Sequence, residues 1–135
     1  MVKSAIITAA GSGRRFGEPK QFKKLHGKPL YQYSIDKFIQ SRLFDEIILV
    51  IPKSNQQKVQ KEIKMKYGSQ VGLVIGGPGR QDSVKNAIQN SNPNIDLVVI
   101  HDAARPFVTK LLIERCIFAC ETSDGAIIAC LLYTS

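Results

Sequence analysis

The chain has no tryptophan, two histidines and three cysteines among its 135 residues. Each shortage removes a class of function. Cys116, Cys120 and Cys130 come late, are odd in number and lack framework spacing, which argues against a disulfide scaffold. A structural zinc site needs about four ligands at close spacing. His26 and His101 lie far from the cysteines in sequence, so the thiols read as buried residues on a helix face. No apolar run approaches the roughly 18 residues of a membrane span. The opening Met1-Val2-Lys3-Ser4-Ala5 carries no cleavage pattern, so a soluble, cytoplasmic protein without membrane partners is expected. Acidic residues are also scarce, 11 against 19 basic ones, for a net charge of +8. That balance suits an anionic partner, either nucleic acid or a phosphorylated small molecule. The cations are not interleaved with aromatics and no nucleic-acid motif is recognisable, which argues against nucleic acid.

What is present is an ordinary globular composition, 44% apolar and 22% charged, at a length that suits one domain over 1–135. Continuous apolar runs at 5–8, 47–51, 71–75, 97–100 and 126–131 predict buried strands. Between them lie helical patterns. Pro29 opens the first, with Tyr31, Ile35, Phe38 and Ile39 on one face. Val59, Ile63 and Tyr67 mark the second, Val84, Ala87 and Ile88 the third, and Ile113, Cys116, Ile117 and Cys120 the fourth. Strands that alternate with helices and are apolar throughout predict an α/β fold, a parallel sheet with helices on both faces. Ligands of such folds bind at the carboxyl ends of the strands. The polar, glycine-rich segments 9–21, 76–83 and 101–105 follow the first, third and fourth strands, so they can form one site. Lys53, Lys58, Lys61, Lys64 and Lys66 fall along the second helix and read as a solvated face.

The first of these segments runs Ala9-Ala10-Gly11-Ser12-Gly13-Arg14-Arg15-Phe16-Gly17-Glu18-Pro19-Lys20-Gln21. Its third glycine comes one residue late for the dinucleotide fingerprint G-x-G-x-x-G, and Pro52-Lys53 stands where that fold wants an acid for the ribose. No window fits a P-loop. What remains is a glycine turn dense in cations. It is either a solvated surface turn or a cradle that approaches a polyphosphate and stabilises charge on a transferring phosphorus.

Ala9-Ala10-Gly11-x-Gly13-x-Arg15 followed by Pro19-Lys20-Gln21 resembles the signature of nucleotidyltransferases that activate small phosphorylated alcohols. Gly76-Gly77-Pro78-Gly79-Arg80-Gln81-Asp82-Ser83-Val84 and His101-Asp102-Ala103-Ala104-Arg105-Pro106 are similar to two further segments of one family, the 2-C-methyl-D-erythritol 4-phosphate cytidylyltransferases. The neighbouring ribitol-5-phosphate cytidylyltransferases differ in all three segments and remain the alternative, together with a non-catalytic nucleotide-binding domain. The resemblance implies a Rossmann-like three-layer sandwich with a mostly parallel sheet, of the nucleotide-diphospho-sugar transferase type. It also implies transfer of a cytidylyl group from CTP to a small phosphorylated polyol, with Mg²⁺ as cofactor.

Carried over residue by residue, the resemblance makes Arg15 and Lys20 the catalytic cations on the triphosphate. The backbone of Ala9, Ala10, Gly11, Ser12 and Gly13 becomes the nucleotide cradle. Gly77 and Ser83 hold the base, Arg80 reaches the nucleotide and Ala103 meets the ribose through its backbone. Asp102 is the Mg²⁺ ligand, and Arg105 contacts the substrate phosphate or fixes its loop by an ion pair. Arg14 is either a site cation or a solvated one. Asp82 and Ser83 are equally well placed to cap the third helix, and Asp82 is taken as mainly structural. His101 is expected to be structural, and Lys23, Lys24 and Lys28 solvated. The match runs to about Cys130, beyond which Leu131-Leu132-Tyr133-Thr134-Ser135 departs from the family pattern. Family members are longer, so a domain lacking its C-terminal part is expected, weak or inactive alone and a homodimer when full-length.

Overall fold

The computed structural model describes residues 2–9, 20–77, 79–105, 108–120 and 128–132. Strand β1 (Lys3–Thr8) leads through the first segment to a small hairpin, β2 (Lys24–Leu25) and β3 (Lys28–Pro29). Then follow α1 (Leu30–Ser41), β4 (Glu46–Ile51), α2 (Gln56–Tyr67), β5 (Val71–Ile75), α3 (Arg80–Gln89), β6 (Leu97–Asp102), α4 (Lys110–Cys120) and β7 (Ile128–Leu132). Five strands form one sheet in the order β5-β4-β1-β6-β7, and every pairing is parallel. The α/β expectation and its strand positions hold; of the fifth predicted strand, 126–131, residues 126 and 127 lie outside the described residues and the rest falls in β7.

The strands are apolar on both sides because both faces are covered. On one face Ile7, Leu49, Val99 and their neighbours pack beneath Tyr31, Ile35 and Phe38 of α1, Val59 and Ile63 of α2, and Ile113 and Ile117 of α4. On the other, Ile6, Ile48, Val50, Val98 and Ile100 meet α3 through Ala87, Val84 and Ile88. Each fully buried aliphatic side chain contributes about 1.5–3 kcal/mol, so the three-helix face carries most of the burial. The chain steps one way from β1 to β4 and β5, then crosses back over α3 to β6. β1 and β6 therefore flank the switch point at which such sheets bind ligands. From β6 to β7 the chain runs in the opposite direction to the step from β1 to β4, yet α4 stays on the face of α1. That crossover has the opposite hand to the first.

Local details refine the sequence reading. The apolar runs predict no hairpin at 24–29, yet one forms there: His26 and Gly27 both adopt positive φ, 53° and 78°, as a two-residue turn between twisted strands requires. Pro29 sits just before α1, in extended backbone with ψ 144°, and not at its first helical position. Lys28 is not simply solvated: it pairs with Asp36 and lies 4.4 Å from the centre of the Tyr33 ring. Lys66 turns from the solvated face of α2 to donate to Gln32 Oε1 at 3.0 Å. Cys116 is a half-buried free thiol whose ionisation burial pushes up, whereas Cys120 is engaged in a disulfide and so departs from the expectation of thiols. Among the described residues no helix is long and apolar enough to cross a membrane.

Candidate active site

All five strands run parallel, so the segments after β1, β5 and β6 leave the sheet at one edge. Each starts while still bonded to a neighbouring strand: Ala9 N–H donates to Val50 O at 2.7 Å, Gly76 N–H to Ile51 O at 2.8 Å, and Ala103 N–H to Thr8 O at 2.9 Å. The sheet thus sets the height of all three.

Of the first segment, Ala10, Gly11, Ser12, Gly13, Arg14 and Arg15 lie outside the described residues, and so does the Lys20 side chain. The segment's two ends are described, and they are tied together. The amide of buried Gln21 donates to Ala9 O at 2.8 Å, so the backbone of Lys20, in a short 3₁₀ turn, is held against the end of β1. Gln21 stands in the P-K-Q signature, but the sequence assigns it no role. The bond makes it the clasp of the glycine loop.

In the second segment the geometry supports the capping reading for Asp82 and gives Ser83 a bond back to the same glycine that is not a cap. Gly79 precedes α3, and its N–H donates to Asp82 Oδ2 at 3.3 Å. Both the N–H and the hydroxyl of the buried Ser83 donate to Gly79 O, at 3.1 and 3.2 Å. An acid in the first helical turn also meets the positive end of the helix dipole. With these donors engaged, Ser83 supports the loop and does not hold a base through its own N–H. Gly77 is required sterically: a Cβ there would stand 2.5 Å from Asp82 Cβ. Asn86 fastens α3 to the end of β5 by donating to Ile75 O at 3.3 Å. The side chain of Arg80 lies outside the described residues.

The third segment closes a tight turn. Arg105 N–H donates to Asp102 O at 3.1 Å and Ala104 N–H to Asp102 Oδ1 at 2.9 Å. Asp102 Oδ2 lies 4.0 Å from Arg105 Nε, both side chains about half exposed at 47%. In so wet a setting this ion pair contributes little stability. It does set a carboxylate and a guanidinium side by side at the strand ends. Ala103 is fully buried with its N–H held by Thr8, so the expected ribose contact is not available through that N–H. His101 is fully buried, packs 5.4 Å from the Phe38 ring and donates from Nε2 to Arg105 O at 2.9 Å, as a structural residue should. Ser34 of α1 also reaches this turn, and no motif pointed to it. The available signal was a polar residue on the apolar stripe of Tyr31, Ile35 and Phe38.

Among the described residues no three acids, histidines or cysteines gather as a metal cage. Asp102 alone suits Mg²⁺, which binds through one or two carboxylates and completes its shell with substrate phosphates and water.

Residues 3–134 match the family model described as 2-C-methyl-D-erythritol 4-phosphate cytidylyltransferase. A protein of that description from Aquifex aeolicus is 48% identical over 107 residues, covering 79% of this chain and 46% of its own length. One from Clostridium beijerinckii is 42% identical over 114 residues, covering 82% and 50%. The chain spans about half the length of the curated relatives it matches. Among solved structures, the 4-diphosphocytidyl-2C-methyl-D-erythritol synthase of Anaerococcus prevotii superposes with a TM-score of 0.78 at 32% identity, covering 90% of this chain and 52% of its own.

Proposed function

The chain belongs to the 2-C-methyl-D-erythritol 4-phosphate cytidylyltransferase family, and from that premise we propose that its protein transfers a cytidylyl group from CTP to 2-C-methyl-D-erythritol 4-phosphate. A phosphate oxygen of the acceptor attacks the α-phosphorus of CTP. The bond from that phosphorus to the bridging oxygen of the β-phosphate breaks, and pyrophosphate leaves. One observation carries the reading: three motif-bearing segments leave a single sheet edge, two of them from the strands that flank its switch point.

The nucleophile is ionised at neutral pH and needs no general base. Catalysis is then positioning and charge neutralisation, which agrees with a site whose one histidine is buried in a structural bond. Arg15 and Lys20 neutralise the triphosphate, the arginine as a fork and the lysine as a point charge. The backbone of Ala9, Ala10, Gly11, Ser12 and Gly13 cradles it, with Gln21 closing the cradle. The loop at Gly77, braced by Ser83, receives the base, and Arg80 reaches the nucleotide. Arg105 meets the acceptor phosphate. Asp102 holds Mg²⁺, which when bound supplies positive charge to the phosphate oxygens. A homodimeric, cytoplasmic enzyme completes this reading and rests on the family alone.

The test is a thermal melt of the chain with Mg²⁺ and each of CTP, UTP, ATP, GTP and NAD. A ligand that binds only the folded state stabilises it by about 2.7 kcal/mol at a hundredfold excess over its dissociation constant. The expected result is a rise selective for CTP. A cooperative melt that CTP leaves unmoved overturns the proposal. Pyrophosphate release by the full-length protein, with methylerythritol and ribitol phosphates compared, then fixes the acceptor.

A further inference from the structure

Two fully buried polar side chains from different elements, Ser34 of α1 and His101 of β6, converge on the turn that carries Asp102 and Arg105. His101 Nε2 lies 2.9 Å from Arg105 O. A carbonyl only accepts, so that nitrogen carries the proton and the tautomer is set. Ser34 Oγ lies 3.3 Å from Arg105 O, 3.5 Å from Ala103 O and 3.4 Å from His101 Nε2. With one proton, the hydroxyl donates to one of these carbonyls at a time. The opposite side of the turn is fixed by Ala103 N–H on Thr8 O. Within it, Ala104 N–H holds one oxygen of the Asp102 carboxylate. The direction of that carboxylate therefore follows the peptide planes of residues 103–105, and Ser34 and His101 set those planes from below.

We propose that Ser34 and His101 are positioning residues, which aim the Asp102 carboxylate at a magnesium–nucleotide complex by holding the 103–105 turn. Neither is catalytic, since both are buried beneath the site. Apolar side chains would fill the same space at lower desolvation cost, and a buried hydroxyl and imidazole are tolerated only when paired. Here the pairing goes to the one turn that bears the cation carboxylate. The inference rests on the reading of Asp102 given above.

The experiment is calorimetric binding of CTP, with and without Mg²⁺, to the wild-type chain, Ser34→Ala, His101→Leu and His101→Gln. Ser34→Ala and His101→Leu should keep the Mg²⁺-free affinity and lose about 10- to 100-fold of the gain that Mg²⁺ brings, the usual cost of removing a partner behind a metal ligand. His101→Gln keeps an N–H donor of similar reach and should retain most of the gain. A merely structural role would lower the melting temperature of the variants but leave the ratio of affinities with and without Mg²⁺ unchanged. That outcome, beside a wild type that shows the gain, overturns the inference and spares the CTP reading. A wild type that binds no CTP overturns both, and one that binds CTP equally with and without Mg²⁺ overturns the inference. If His101→Leu does not fold, Ser34→Ala decides, since it removes a single buried oxygen.

Discussion

The turns after β5 and β6 leave the same sheet edge and are held in different ways. The β5 turn is fixed by the helix it leads into: Asp82 and Ser83, both in the first turn of α3, bind Gly79, and Gly77 leaves room for Asp82. The β6 turn is fixed from elsewhere in the fold, by Thr8 of β1, Ser34 of α1 and the buried His101 beneath it. A locally anchored loop can open when one helix end frays, whereas a loop bonded to two other elements opens only in a larger unfolding event. The contrast suits the proposed roles. A base-binding loop benefits from some freedom to close, and a cation carboxylate must not wander.

The strongest way to break the local anchor is Gly77→Ala. The new Cβ would stand 2.5 Å from Asp82 Cβ, so the start of α3 must move. The expected loss is about 1–3 kcal/mol, read from the urea midpoint. Amide exchange should rise over 76–83 and stay unchanged at 103–105. Adding Asp82→Gly to the same chain makes room for the new methyl and should recover part of the loss. If exchange rose equally in both turns, the two anchors would not be independent. A smaller effect is expected from Asp82→Ala, which removes the acceptor for Gly79 N–H and the charge at the helix N-terminus. It should cost about 0.3–1 kcal/mol, again with the β6 turn unmoved.

This contrast also marks where the sequence was informative. Continuous apolar runs such as Ile47–Ile51 read well because a strand buried on both faces has no choice but to be apolar. The β5 turn was legible too, since its anchors lie within a few residues of one another and Asp82 follows a helix-capping rule. Of the β6 turn's anchors, His101 was legible as a structural residue, whereas Ser34 was not, because it and Arg105 meet only through the fold. The same reason hid the Lys28–Asp36 pair, which joins a hairpin strand to a helix at a spacing no local rule covers. The hairpin itself has a single signal, the His26-Gly27 turn, and strands too short to show alternation.

The last test concerns the helix from which the β6 turn is held. Asp36 lies nearly two turns into α1 and binds it to both neighbours. It accepts from Tyr67 OH at 2.6 Å, pairs with Lys28, and lies 3.6 Å from Lys66 Nζ. Burial alone pushes its carboxyl up. The Lys28 and Tyr67 hydrogen bonds, with the charges of Lys66 and Lys28, outweigh that and hold it below the ordinary carboxylate value. The group therefore binds its proton less readily when folded than when unfolded. Its contribution to stability is complete above the unfolded value of about 3.9 and is lost as pH falls through the lower folded value. Urea midpoints taken from about pH 6 to about pH 3 should fall for the wild type. Asp36→Asn should lose that part of the acid limb, so the difference between the two curves isolates the grip on α1. Parallel curves would show that Asp36 does not secure the helix, and the distant anchoring of the β6 turn would then rest on apolar packing of α1 alone.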